Sequence, residues 1–301
     1  MTSLRLAHCS DPHLHFAAPP PRLSERLSKR GLSRSSWARG RGQLQRPEIL
    51  AQALADLRAQ GPDHILVSGD LVNFSLPGEF EQAARWLATL GSPQALSVIP
   101  GNHDALVPVP AVQGLDHWLP WMQGDAPGAD AFPYVRVRGG VALIGLSSAL
   151  PTAPGLAGGR LGVAQLQRLE SLLADLKAQG LCRVITLHHP PAEGVVPERK
   201  ALWDRAGFRA VLARQGAELV LHGHSRDSRF DPLPGPAGLI LNLGLPSVSA
   251  IPNPKDEGAR WQLLEFSGAP GHWQLRVTVR AYSRALAGFE TAGRYRLKLN
   301  T

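Results

Sequence analysis

The chain has 301 residues, 44% of them hydrophobic, enough for a large packed core; 31 glycines and 26 prolines with 6% aromatic content favour an α/β sheet protein with many short loops over a bundle of long helices. Two cysteines, Cys9 and Cys182, are too few for a disulfide framework, no run of about 18 apolar residues occurs, and residues 1–11 lack a basic segment followed by a long apolar one, so a cytoplasmic protein is expected rather than an exported or membrane-spanning one. The net charge of +8 would suit a nucleic-acid binder, but residues 22–46 hold eight basic side chains (Arg22, Arg26, Lys29, Arg30, Arg34, Arg39, Arg41, Arg46) against Glu25 alone, so the charge is a local arm that attracts anions of any kind.

Residues 4–9 read as a buried strand that opens into the loop Ser10-Asp11-Pro12-His13. Residues 17–46, rich in Pro and Arg, read as a basic insertion within a single domain spanning residues 1–301, with Leu23 and Leu27 at helical spacing and Trp37 alone among charges. Pro47 starts a helix in which Ile49, Leu50, Ala53, Leu54 and Leu57 share a face, and Gly61-Pro62 ends it. A strand at 65–67 ends at Gly69-Asp70, helical spacing follows over 78–90, and a strand at 96–99 runs into Gly101-Asn102-His103-Asp104. Residues 134–146 read as a hairpin broken at Gly139-Gly140, and 163–177 as a helix with Leu166, Leu169, Leu172, Leu173 and Leu176 on its apolar side. A strand at 184–187 runs into His188-His189-Pro190-Pro191; after a further helix, one at 218–221 runs into His222-Gly223-His224-Ser225-Arg226. Strands are expected at 239–243, 261–266, 273–279 and 295–299, with no repeat and no Gly/Ser linker to divide the chain. Ligand sites in open α/β sheets lie beyond the carboxyl ends of strands, so five strands ending in Asp, Asn or His imply one shared rim.

Each fragment alone has an ordinary explanation as a turn or a strand end. Together and in order they are far more specific: Asp-x-His at 11 and 13, Gly-Asp at 69 and 70, Gly-Asn-His-Asp at 101–104, a His after a strand at 188, and Gly-His at 223 and 224, each directly after an apolar run. In this the chain resembles the calcineurin-like metallophosphoesterase superfamily, over residues 11–226. The resemblance implies a four-layer α/β-β/α sandwich with two mixed central sheets. It also implies that Asp11 and His13 ligate one metal, that Asp70 bridges two, and that Asn102, His188 and His224 hold the second. His103 would donate a proton to the leaving oxygen or stabilise phosphoryl charge, and Asp104 would orient it. His188 rather than His189 is chosen because it is the first residue past the strand.

The donor set has its own logic. Carboxylate, amide oxygen and imidazole without thiolate suit borderline divalent ions such as Mn, Fe, Zn or Co, and two such ions bind phosphoryl oxygens and activate water. A hydrolase of phosphodiester or pyrophosphate bonds, ahead of phosphomonoesters, is expected. The chain departs from the family at Arg226, where the Gly-His-x-His pattern has a second His. A guanidinium has no lone pair to offer a cation. Either Arg226 points at substrate phosphate beside a weakened first metal site, or its charge stands in for that metal and leaves a poorly active binding or regulatory protein. His222 does not rescue the site, since two-residue alternation puts it on the far side of His224 from position 226.

The insertion emerges at the same rim. It is either a solvated arm or a cap that gathers a small anionic substrate or rests on an anionic membrane, which would make the protein peripheral to the inner membrane face. It lacks the interleaved aromatics of a single-strand channel, and no helix-turn-helix or zinc-finger spacing occurs, so nucleic acid is not the expected partner.

Overall fold

The apolar runs become strands and the helical spacings become helices, in the order expected. In the computed structural model, which describes residues 2–21, 23–126, 132–254 and 256–299 and so leaves Arg22 outside, the first half comprises β1 (Thr2–Cys9), α1 (Lys29–Ser36), α2 (Gly42–Leu44), α3 (Pro47–Ala59), β2 (His64–Val67), α4 (Pro77–Leu90), β3 (Leu96–Val98), β4 (Tyr134–Arg138) and β5 (Val141–Gly145). The second half comprises α5 (Val163–Ala178), β6 (Cys182–Thr186), α6 (Arg205–Gln215), β7 (Leu219–His222), β8 (Arg229–Phe230), β9 (Leu233–Gly235), β10 (Gly238–Gly244), β11 (Arg260–Gly268), β12 (Gln274–Ser283) and β13 (Gly288–Lys298).

Two mixed sheets form. One has the order β13-β12-β11-β1-β2-β3, parallel from β1 to β3 and antiparallel beyond β1; the other has the order β4-β5-β6-β7-β10-β8, parallel from β5 to β10, with β9 also pairing to β10. Strand alternation shows how they stack. Leu4 and Leu6 of β1 join Cys182 and Val184 of β6 and Leu219 and Leu221 of β7 in a core between the sheets. The alternate residues, Ala7 and Cys9, pack on α3 and α4, while Ile185 and Val220 pack on α5 and α6. Strands buried on both faces read as continuous apolar runs, which is why they were visible in the sequence. The result is a four-layer α/β-β/α sandwich.

The sandwich brings the ends of β1, β2, β3, β6 and β7 to one rim, where the loops stay in register. Asp11 N–H donates to Gly69 O (3.0 Å), His13 N–H to Asp70 O (3.0 Å), and Gly223 N–H to His188 O (3.1 Å).

The basic insertion folds as a cap over this rim. Ser28 caps α1 by accepting from Gly31 N–H (3.2 Å), Arg30 donates to the carbonyls of Phe74 (2.8 Å) and Ser75 (2.9 Å), and Ser33 Oγ donates to Asn73 O (3.2 Å). The returning chain is tied down by Arg46 N–H to Ser249 O and Ile251 N–H to Leu44 O, both 2.8 Å. Trp37, alone among charges in sequence, lies edge-on to His15 and Phe74, which anchors the middle of the cap on the core. No described helix is long and apolar enough to cross a membrane.

Candidate metal centre

At the rim the backbone turns sharply as each strand ends. Asp11, His13, Asp70 and His224 all have positive φ, between 43° and 66°, a region that Asp and His tolerate better than most residues. Two glycines are required by close approach. A Cβ on Gly101 would lie 2.3 Å from Asp70 Oδ1, and one on Gly223 would lie 1.9 Å from Ser10 Oγ and 2.5 Å from Asp11 Oδ2. The glycine ahead of each polar residue lets two loops close on one carboxylate.

These turns assemble two sets of donors. Asp11, His13 and Asp70 offer ligand atoms that all lie within 4.8 Å of one another, and so do Asp70, His188 and His224, with Asp70 common to both. His13 Nε2 is 3.8 Å from Asp11 Oδ1 and 3.9 Å from Asp70 Oδ2, too far for hydrogen bonds and close enough to share an ion. Asn102 Oδ1 lies 3.2 Å from His188 Nε2. Of the adjacent histidines, His188 is in the cluster, whereas His189 bonds Ser148 Oγ (2.7 Å) and Ala157 O (3.2 Å). His222 belongs to neither set and bonds Gly223 O (3.0 Å).

Divalent cations fit this arrangement. His188 Nδ1 faces Ser68 O (2.8 Å), which can only accept, so Nδ1 holds its proton and Nε2 turns towards two further acceptors, Asn102 Oδ1 and Asp70 Oδ2 (3.5 Å). Either a proton or a cation must sit there. Burial disfavours the proton, but the charge and hydrogen bond of Asp70 outweigh it and raise His188 to about 10, so cation uptake displaces a proton and weakens as pH falls. Burial also pushes Asp70 up, yet His188, His103 and His13 outweigh it and hold the carboxylate well below its ordinary range. His13 Nδ1 and His224 Nε2 are buried without a partner.

Three expectations are corrected by the geometry. Asp104 does not orient His103: its carboxylate accepts the backbone N–H groups of Asp70 (2.8 Å), Leu71 (2.9 Å), Val72 (3.0 Å) and Gly101 (2.7 Å), and so clamps the Asp70 and Asn102 loops together. His103 is oriented by Asn73 O at Nδ1 (3.0 Å), and its Nε2 accepts from Arg41 Nη1 (3.0 Å). A carbonyl accepts only and a guanidinium donates only, so both partners demand neutral imidazole with the proton on Nδ1; burial, then Arg41, hold its pKa well below the ordinary value. His103 thus has no Nε2 proton to give while Arg41 is in place. Arg226, finally, does not stand in for a metal: its Nη1 reaches Asp256 Oδ1 at 4.0 Å, its side chain is half exposed, and among the described residues no hydrogen bond or ion pair joins it to Asp11 or Asp70.

Sequence reasoning missed Arg41, Asn73 and the pair Gln45 and Ser247. Ser247 Oγ lies 2.6 Å from Asp11 O and 2.8 Å from Gln45 Oε1, sharing its one proton between them and tying the cap to the first ligand loop. Above the donors opens a cavity of about 350 Å³ whose walls include the cations Lys29, Arg41, Arg199, Lys200 and Arg226 and the apolar side chains Leu32, Leu44, Leu106 and Leu156.

The calcineurin-like phosphoesterase family model matches residues 4–226, three-quarters of the chain and every donor above. The chain belongs to the calcineurin-like phosphoesterases. Among proteins of this kind it is 29% identical, over 75% of its own length and 80% of the relative's, to a probable cyclic nucleotide phosphodiesterase of Synechococcus sp.. Its fold is similar to that of a purple acid phosphatase from yellow lupin (Lupinus luteus) seeds, with TM-score 0.62 and 14% identity, covering 99% of this chain and 54% of the other, so this calcineurin-like phosphoesterase spans about half the length of the lupin enzyme. It is also similar to a dimetal phosphatase from Danio rerio, with TM-score 0.56 and 13% identity, covering 97% and 99% of the two chains. Fold and donor clusters together support a metal-dependent hydrolase of the phosphoesterase superfamily.

Proposed function

We propose that the protein hydrolyses a phosphodiester or pyrophosphate bond in a small anionic substrate. The observation that carries this is the sharing of Asp70 by two donor clusters at the floor of a cleft walled with cations. Asp11, His13 and Asp70 would hold one divalent ion, and Asp70, Asn102, His188 and His224 the other. Bound there, two such ions supply Lewis-acid polarisation of phosphoryl oxygens and a water of lowered pKa. The chain's own residues do the rest. Asp104 keeps the Asp70 and Asn102 loops at fixed separation, the cap forms part of the cavity wall, and Arg41, poised on His103, supplies donors for phosphoryl oxygen. Arg226 adds a further charge at the cavity wall in place of a ligand.

A diester is favoured over a monoester because the cavity carries apolar side chains beside its cations, Leu32 and Leu44 from the cap and Leu106 and Leu156 from other segments, which gives ester substituents a surface. The name of the Synechococcus relative agrees with this reading. The test is turnover of bis-p-nitrophenyl phosphate and p-nitrophenyl phosphate with Mn, alongside metal analysis. Hydrolysis of the diester, its loss in EDTA and two ions per chain are expected. One ion or none, with no turnover of either ester, would sink the proposal and make this a binding protein on a phosphoesterase fold.

A further inference from the structure

Charge pairing is uneven in this molecule. Away from the cleft, several guanidiniums meet carboxylates, as Arg183 does with Glu218 (2.7 Å), Arg280 with Asp56 (2.5 Å) and Arg205 with Glu198 (2.9 Å), while Arg136 and Arg58 meet carbonyls. Around the cavity the five cations Lys29, Arg41, Arg199, Lys200 and Arg226 have no carboxylate nearer than 4.0 Å among the described residues, and Lys29 is taken up by Thr152. Arg41 is mostly buried, spends Nη1 on His103 and Nη2 on Ser33 Oγ (3.2 Å), leaves Nε without a partner, and has no carboxylate in contact. The Lys200 ammonium makes no hydrogen bond or ion pair among the described residues. Arg226 has only Asp256 at the 4.0 Å margin. Burial comes first in lowering the pKa of Arg41 and of Lys200; Asp70 attracts Arg41 ahead of the repulsion from Arg226, with Glu79 also attracting it, while Arg226, Arg199 and Arg41 repel Lys200 and Asp256 attracts it. Three cations on separate segments therefore line one space with their charge only partly balanced by Asp70, Glu79 and Asp256, and an anion in that space would complete the balance.

The position of that space identifies the anion. Arg41 bonds the residue next to Asn102, Arg226 follows His224 by two residues, and Lys200 lies on the wall that carries neither the cap nor the ligand loops. A phosphodiester under attack has one negative charge, already faced by whatever cations the donor clusters hold. We propose that Arg41, Lys200 and Arg226 form an anion subsite beside the clusters that takes a second phosphoryl group adjoining the one attacked, which makes the substrate a pyrophosphate-linked ester. This rests on the phosphoesterase reading above. The water oxygen bonds to the phosphorus over the clusters and the bond from that phosphorus to the bridging oxygen breaks. The hydroxyl stays on the attacked phosphorus, the remaining proton goes to the bridging oxygen of the leaving phosphate, and two phosphomonoesters result.

Two measurements test this. In EDTA, calorimetric titration should show inorganic pyrophosphate binding at least about tenfold more tightly than inorganic phosphate; Lys200→Gln and Arg226→Gln should each reduce that preference about tenfold, and Lys200→Arg should keep it. With Mn, the ratio of kcat/KM for diadenosine diphosphate to that for bis-p-nitrophenyl phosphate should fall by about tenfold in the same two Gln variants. Equal binding of the two anions by the unaltered protein, or a ratio that neither variant moves, overturns the subsite. Intact pyrophosphate preference without turnover of either ester supports the subsite and sinks the phosphoesterase reading instead.

Discussion

Two buried arginines in this protein live under opposite terms. Arg183, at the end of β6 and β7 away from the rim, donates to both oxygens of Glu218 (2.7 and 3.1 Å) and to the carbonyls of Gln215 (2.8 Å) and Leu173 (3.3 Å), and both side chains are almost wholly hidden. Arg41, within the cap, has two neutral acceptors and a donor left over. The histidines divide in the same way. His8 has Ser68 Oγ at Nε2 (2.8 Å) and Gln262 Nε2 at Nδ1 (3.1 Å), while His13 and His224 each keep a buried nitrogen bare. Unmet bonds alone do not mark a site, since His64 Nδ1, His222 Nε2 and both side-chain polar atoms of Asn242 are bare as well; at the rim they coincide with clustered donors and a cavity.

The contrast can be broken at either side. Glu218→Gln leaves Arg183 charged and unpaired in the interior and should cost about 3–5 kcal/mol in chemical denaturation, with turnover per folded molecule unchanged; a loss below about 1 kcal/mol would mean the pair is not what holds that end. Asp70→Asn, at the rim, should lower metal content below half, read by elemental mass spectrometry, and cut turnover more than about 100-fold, beyond what indirect supports of a metal site produce. Two ions retained in that variant would end the shared role of Asp70. Arg41→Gln should change stability by less than about 1 kcal/mol in either direction while kcat/KM falls about tenfold. A stability loss like that of Glu218→Gln would place Arg41 with the fold.

The smallest effect is on pH dependence. Burial, helped by the charge of His222, lowers His8 to about 3, so between pH 6.5 and about 3 the unfolded chain takes up a proton there that the folded one refuses. Stability contributed by neutral His8 is complete above that window and drains away as pH falls through it, by at most about 1.4 kcal/mol per pH unit. Denaturation midpoints measured in EDTA from pH 7 to 4 should fall less steeply for His8→Gln than for the unaltered protein; parallel slopes would show His8 to be protonated in the fold.

The elements most legible in the sequence were those buried on both faces. Residues 4–9 and 184–187 could be read as strands because α/β layering makes the whole run apolar, and α5 because its leucines recur on one side. The edge strand β13 was only partly legible. Its first half, from Gly288, is polar and largely exposed, and it is a strand because β12 offers it partners across a bulge at Val279/Arg280, a fact about the neighbour rather than about its own composition. The donors of the rim were legible too, because each is a polar residue ending an apolar run, a local signal.

What the chain's own order determined, then, was which side chains stand at strand ends, and hence the family and the kind of chemistry its donors suit. Tertiary structure decided which of them are satisfied. Asp104 turned out to be a backbone clamp and Arg41 the partner of His103, 62 residues away, because a run of arginines carries no periodicity and a carboxylate no label for its partner. Only closure of the cap and the meeting of two sheets assigned those bonds, and brought the donors together beside a cavity.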